Sequence, residues 1–144
     1  MEKYFIDACR LGNLKDAIKY YKMGINMHFK GDEAFRYACF CGKLEIVKWL
    51  YLINNKIMFN DIDYIFKLTC YYGHFEVAQW LYSIDNKINI FIDDNYIFRM
   101  SCIKGYINIV IWLISICNDY KAEIKDGIVM SYEIKKMDDN TIFI

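Results

Sequence analysis

The residues of this chain best equipped for chemistry are its six cysteines and two histidines. Four of the thiols, Cys9, Cys39, Cys70 and Cys102, recur at intervals of 30, 31 and 32 residues, and Cys41 lies close behind Cys39. Thiols in such numbers can ligate zinc or pair as disulfides. Cys39-Phe-Cys41 lacks the spacing of a zinc knuckle, however, and neither His28 nor His74 is placed to complete one. Glu45 and Glu76 also share a repeated position. General acid–base work would need a partner within hydrogen-bond reach, whereas a carboxylate at the start of a helix is accounted for by the helix dipole. There is no Gly-x-Gly-x-x-Gly, no Walker loop and no His-Glu-x-x-His. Catalysis, a metal and a cofactor are therefore not expected. A third recurring set is basic: Arg36, Lys67 and Arg99. It reads as a solvated or hydrogen-bonding column, or as a ladder of positive charge with rungs about 10 Å apart, which would steer an acidic partner.

The elements that must position these groups form a repeat. Phe5-Ile-Asp-Ala-Cys-Arg-Leu-Gly, Phe35-Arg-Tyr-Ala-Cys-Phe-Cys-Gly, Phe66-Lys-Leu-Thr-Cys-Tyr-Tyr-Gly and Phe98-Arg-Met-Ser-Cys-Ile-Lys-Gly fall into one register, and Trp49, Trp80 and Trp112 keep step in the last three. Self-similarity at this period marks a stacked array and decides the fold ahead of local propensity. Within a unit the pattern predicts two short helices. Asp32, Asp63 and Asn95 are expected to cap the first by accepting from free backbone N–H groups. That helix runs over about 33–40 in the second unit, with Phe35, Ala38 and Cys39 on one face. Gly42 ends it with a positive φ, and a second helix over about 44–53 buries Leu44, Val47 and Leu50. Asn54-Asn-Lys and Asp85-Asn-Lys read as turns, and Ile57-Met-Phe and Ile88 to Ile92 as short extended pieces. Stacking also answers the thiol question. Equivalent positions in neighbouring units lie about 10 Å apart, too far for one zinc or a disulfide, so the cysteine column reads as small buried residues between close helices. The tryptophan column is expected between neighbouring second helices.

Ala38-Cys-Phe-Cys-Gly-Lys-Leu-Glu-Ile-Val-Lys-Trp-Leu50 resembles the Ala-x-x-x-Gly-x-x-x-Val-Val-x-x-Leu core of the ankyrin repeat, and Thr69 to Leu81 and Ser101 to Leu113 resemble it with a small polar residue for the alanine. The resemblance covers roughly 3–117 and implies an all-α solenoid of stacked helix pairs with short finger loops. It divides one domain, 1–144, into repeats of about 2–31, 32–62, 63–94 and 95–118 with a degenerate C-terminal cap over 119–144. The family's Thr-Pro-Leu-His box is replaced by Glu33-Ala-Phe-Arg36, Tyr64-Ile-Phe-Lys67 and Tyr96-Ile-Phe-Arg99, and its Gly-Ala-Asp turn is missing from units two to four. In style the chain is similar to the diverged ankyrin proteins of large DNA viruses. The resemblance implies protein binding through the concave face lined by first helices. The candidate contact residues there are Arg36, Tyr37, Phe40, Lys67, Leu68, Tyr71, Tyr72, Arg99 and Met100, with finger tips around Phe59-Asn-Asp61 and Phe91-Ile-Asp-Asp94. A structural subunit that stacks through its repeat ends, or an adaptor recruiting host proteins for degradation, is the alternative.

Composition bounds the rest. With 56% hydrophobic residues the chain can build a core. Eighteen basic and eighteen acidic residues cancel, which argues against a nucleic-acid or anionic-membrane partner. The longest apolar stretch, Ile107 to Cys117, is too short to cross a bilayer, and the acidic start is unlike a signal peptide. An intracellular, cytoplasmic monomer that binds another protein and no small-molecule substrate is expected. Unit one, with Lys19 and Asp16 where the others carry tryptophan and an aliphatic residue, reads as a polar N-terminal cap. Asp126-Gly-Ile-Val-Met-Ser-Tyr-Glu-Ile134 reads as a truncated fifth helix, preferred here, or as a strand-like tail, and the residues from Asp138 as frayed.

Overall fold

A computed structural model describes residues 1–30, 32–53, 61–135 and 141–143. The expected turn Asn54-Asn-Lys, the extended piece Ile57-Met-Phe, all of the Phe59 finger tip but Asp61, and the stretch from Asp138 to Asn140 lie outside the described residues. The chain falls into two compact units, Met1–Ile88 and Asn89–Ile144.

The first unit is three helix pairs: α1 (Glu2–Leu11) with α2 (Leu14–Lys22), α3 (Glu33–Phe40) with α4 (Leu44–Ile53), and α5 (Ile62–Tyr71) with α6 (Phe75–Ile84). First helices lie against first helices, α1 on α3 and α3 on α5, and α4 packs on α6. Each first helix buries the same positions: Phe5, Ala8 and Cys9, then Phe35, Ala38 and Cys39, then Phe66, Thr69 and Cys70. The polar member of this series, Thr69, donates its hydroxyl to the Ile65 carbonyl at 2.7 Å, so its burial leaves no orphan. Second helices contribute Ala17, then Ile46, Val47 and Leu50, then Val77, Ala78 and Leu81.

A left-handed glycine joins the helices of each pair, with φ of 81° at Gly12, 69° at Gly42 and 80° at Gly73. The glycine N–H bonds the cysteine carbonyl, and the next N–H reaches back to the carbonyl of the small residue before it, as in Lys43 N to Ala38 O at 2.8 Å and His74 N to Thr69 O at 3.1 Å. These bonds satisfy the last carbonyls of the first helix. Absence of a side chain matters as much as φ, because the residue that follows the glycine of one pair lies over the glycine of the pair before it. The Lys43 stem crosses Gly12, and the His74 ring covers Gly42 so closely that a Cβ there would overlap it.

The expected side-chain caps are not formed. Asp32 precedes α3 in a left-handed conformation with no cap hydrogen bond, and its carboxylate pairs instead with His28 Nδ1 at 2.6 Å. Helix α5 starts two residues earlier than expected, behind Asp61, which places Asp63 inside its first turn. Asn13 does cap: its Oδ1 accepts from Asp16 N at 3.1 Å while its Nδ2 donates to the Asp16 carboxylate at 2.7 Å.

The second unit holds a helix pair, α7 (Ile92–Lys104) and α8 (Ile107–Ile116), and an antiparallel sheet of β1 (Tyr120–Lys125), β2 (Ile128–Lys135) and β3 (Thr141–Phe143) in the order β1-β2-β3. The fold is therefore mostly helical with a small sheet, and in place of the fifth helix expected at 126–134 the chain makes a turn and a strand. Asp126 and Gly127, with φ of 52° and 74°, form the two-residue turn that both strands need. Alternation then puts Tyr120, Ala122 and Ile124 on one side of β1, facing Ile134 and Tyr132 across the ladder. Tyr120 stacks flat on Phe98 of α7 at 4.2 Å between ring centres, and Tyr132 meets Phe98 edge-on at 5.8 Å. This aromatic burial outweighs any helix propensity in the tail. Asn95, expected as a cap, accepts the Tyr120 hydroxyl at 2.8 Å. Asp93, Asp94 and Asn95 are all left-handed, so regular helix in α7 begins only at Tyr96.

Three substitutions test this account by denaturant unfolding. Gly105 has φ of 72° but nothing near the place of a Cβ, so Gly105→Ala should cost only the backbone penalty of about 1–2 kcal/mol. Gly42→Ala should cost about 1–3 kcal/mol more, because the His74 ring must move; equal losses would contradict the close approach. Asp94→Gly should raise stability by up to about 1 kcal/mol, since glycine accepts its φ of 56° freely.

Candidate interaction site

The cysteine column is interior. Cys9, Cys39, Cys70 and Cys102 are buried in their first helices and unpaired, and Cys41 is the only cysteine with partial exposure. Burial alone raises each column thiol, Cys9 and Cys102 to about 12 and Cys39 and Cys70 further, because a thiolate would be stranded away from water. Among the described residues no cluster of three or more His, Cys, Asp or Glu could hold a metal ion, and no helix is long and apolar enough to cross a membrane.

Two of the tryptophans stitch second helices together. Trp49 of α4 meets Tyr21 of α2 edge-on at 5.8 Å and also the Phe5 ring at 6.4 Å. One pair further on, Trp80 of α6 meets Tyr51 of α4 edge-on at 5.3 Å. Tyr21 and Tyr51 occupy the same place in successive units, so the contact repeats with the sequence.

The basic column is largely engaged with its own chain. Arg36 Nη2 donates to the Lys30 carbonyl at 2.9 Å. Arg99 makes the same reach in the second unit, Nε to Asp94 O at 3.0 Å and Nη2 to Asp93 O at 3.4 Å. In both cases the guanidinium ties down left-handed backbone just ahead of the helix, with φ of 53° at Lys30 and 52° at Asp93. Lys67 places its ammonium 5.3 Å from the centre of the Tyr64 ring. A carbonyl partner leaves the arginine charge uncompensated, so the column still contributes positive potential.

The expected groove residues of the first unit come together. Tyr37 and Phe40 of α3 meet edge-on at 6.5 Å, Phe40 lies 6.5 Å from Tyr72 after α5, and Tyr72 meets Tyr71 at 5.2 Å. Tyr37 is 38% and Tyr72 50% exposed, so the strip faces solvent while its rings hold one another in place. Leu68 lies half-buried on α5, and Arg99 and Met100, also half-buried, belong to α7 of the second unit.

Tyr37 also ends a cleft of about 700 Å³ between α1, α3 and the loop between α2 and α3. Its other lining residues, Met1, Glu2, Lys3, Ile6, Asp7 and Arg10 on one side and Phe29, Lys30 and Glu33 on the other, were not among the expected contacts. The repeat register carried a signal for two of them: subtracting 30 from Tyr37 and Phe40 gives Asp7 and Arg10, the same slots in unit one. Within the cleft Arg10 pairs with Asp7 at 3.4 Å. The Glu2 carboxylate is held below its usual range by backbone N–H donors and the chain's amino group, 3.5 Å away.

Comparison with protein-family models, with curated proteins and with solved structures finds no match to this chain.

The thiols set a pH dependence. A group whose folded pKa is raised contributes stability that is complete below its unfolded value, near 9, and is lost as pH climbs toward the folded value. The melting temperature should therefore fall progressively between pH 9 and pH 12. At neutral pH a thiol reagent should label Cys41 alone until denaturant is added; prompt native labelling of Cys39 or Cys70 would contradict their burial.

Proposed function

We propose that this protein is a non-catalytic protein-binding module, an ankyrin-type repeat array that grips its partner with the face of its first helices. The observation that carries this reading is the continuous, partly exposed aromatic strip Tyr37–Phe40–Tyr72–Tyr71 next to the cleft at Tyr37. Tyrosines offer large contact area at low entropic cost, which is why they concentrate at interfaces. A strip on packed helices is already shaped, so little ordering is lost on binding.

The first helix pair speaks against end-to-end stacking as the main role. Trp49 and Trp80 press on the preceding pair, but subtracting 30 from Trp49 gives Lys19, whose ammonium lies 5.8 Å from the centre of the neighbouring Tyr20 ring. His74 and Lys43 cover the preceding glycines, whereas the residue in their place is Asn13, occupied in capping α2. An extra pair would meet polar side chains there, as a terminal repeat requires.

Replacing Tyr37 and Tyr72 together by Ala should abolish recovery of partner proteins from a cell lysate while shifting the melting temperature by only a few degrees, because both rings face solvent. Unchanged recovery by a folded double variant would refute the groove.

A further inference from the structure

On the reading that this face binds protein, we infer that the ligand is an extended peptide segment bearing an acidic side chain about three residues from an aromatic or branched aliphatic one. Charge at the cleft carries the inference. Of its anions, Glu2 is met by the chain's amino group and Asp7 by Arg10. Among the described residues Lys3 and Lys30 have no carboxylate partner, and Arg36 bonds only a neutral carbonyl. In the cleft lining, Lys3 and Lys30 thus stand against one uncommitted carboxylate, Glu33. Lys30 and Arg36 lie beside the N-terminal end of α3, where Asp32 is taken up by His28 and the partial positive charge of the helix adds to theirs.

The opposite end of the same helix is apolar. Phe40 closes α3 and touches Tyr37 and Tyr72. From Glu33 to Phe40 the helix rises roughly 10 Å at 1.5 Å per residue. An extended chain covers that distance in about three residues. A ligand running along α3 would thus seat a carboxylate near Lys3 and Lys30 and a hydrophobic side chain on the aromatic strip. Coulombic attraction there sets orientation and encounter rate, while the strip supplies most of the affinity. A segment of reversed charge would meet Lys3 and Lys30 and be rejected.

The test is selection of a random linear-peptide library on the immobilised full chain, on the Lys3→Glu/Lys30→Glu variant and on the Tyr37→Ala/Tyr72→Ala variant, each first shown to be folded by its melting curve. Both lysines are exposed, and should either reversal unfold the chain, Lys3→Gln/Lys30→Gln replaces it. Peptides enriched on the native protein should carry Asp or Glu about three positions from an aromatic or aliphatic residue. Their affinity should fall roughly five- to thirty-fold on the Glu variant and weaken with salt. Enrichment that needs Tyr37 and Tyr72 but shows no acidic preference overturns this inference and leaves the binding face standing. Enrichment indifferent to both tyrosines overturns the two together.

Discussion

The close approach of one helix pair to the glycine of the pair before it is the constraint on which the first unit depends. A left-handed residue must end each first helix so that the chain can reverse into the second, and only glycine takes that conformation without cost. The same glycine leaves the space in which Lys43 crosses Gly12 and the His74 ring covers Gly42. His74 Nε2 then donates to the Phe40 carbonyl, 2.9 Å away. A single backbone feature thereby turns the chain, completes the carbonyl bonding of the helix and sets how near the next pair can come. The buried Ala and Cys positions follow from that nearness, since small side chains are what a close helix contact admits.

Around this contact the side chains divide into those that hold the array and those that face outward. Tryptophan on tyrosine joins the second helices, and the first helices share an interior of phenylalanine and thiol. The arginines serve the helix entrances, where they gather carbonyls of left-handed backbone that would otherwise be unsupported. This is a different task from the ladder of free charge, yet it leaves the guanidinium charge in place. The outward aromatic strip is anchored by its own ring contacts, which explains how large apolar side chains stay ordered while partly exposed.

The second unit solves its closure differently. Phe98 occupies the slot that Phe5, Phe35 and Phe66 hold in the first unit, and it is covered by Tyr120 and Tyr132 of the hairpin. The left-handed run Asp93–Asn95 is tied from two sides, by Arg99 to its carbonyls and by Tyr120 to the Asn95 side chain. The strained entrance and the hairpin thus support one another.

What the sequence determined by itself was whatever repeats or alternates: the helix pairs, their boundaries at 33–40 and 44–53, the burial of the cysteine column and the aromatic positions at Tyr37, Phe40, Tyr71 and Tyr72. These are periodic properties, and period is local information. The hairpin was also written in the chain, as Asp126-Gly127 between alternating residues, but the repeat pattern before it favoured a helix. Only the tertiary structure decided that tail, because its strands are held by rings on α7 that lie far away in sequence. It likewise decided that Asp32 pairs with His28 instead of capping α3, that Arg36 and Arg99 turn back to their own backbone, and that Lys3, Lys30 and Glu33 share a cleft. Each of these depends on which groups the folded backbone brings within a few ångströms, and a hydrogen bond or charge contact has no period to read.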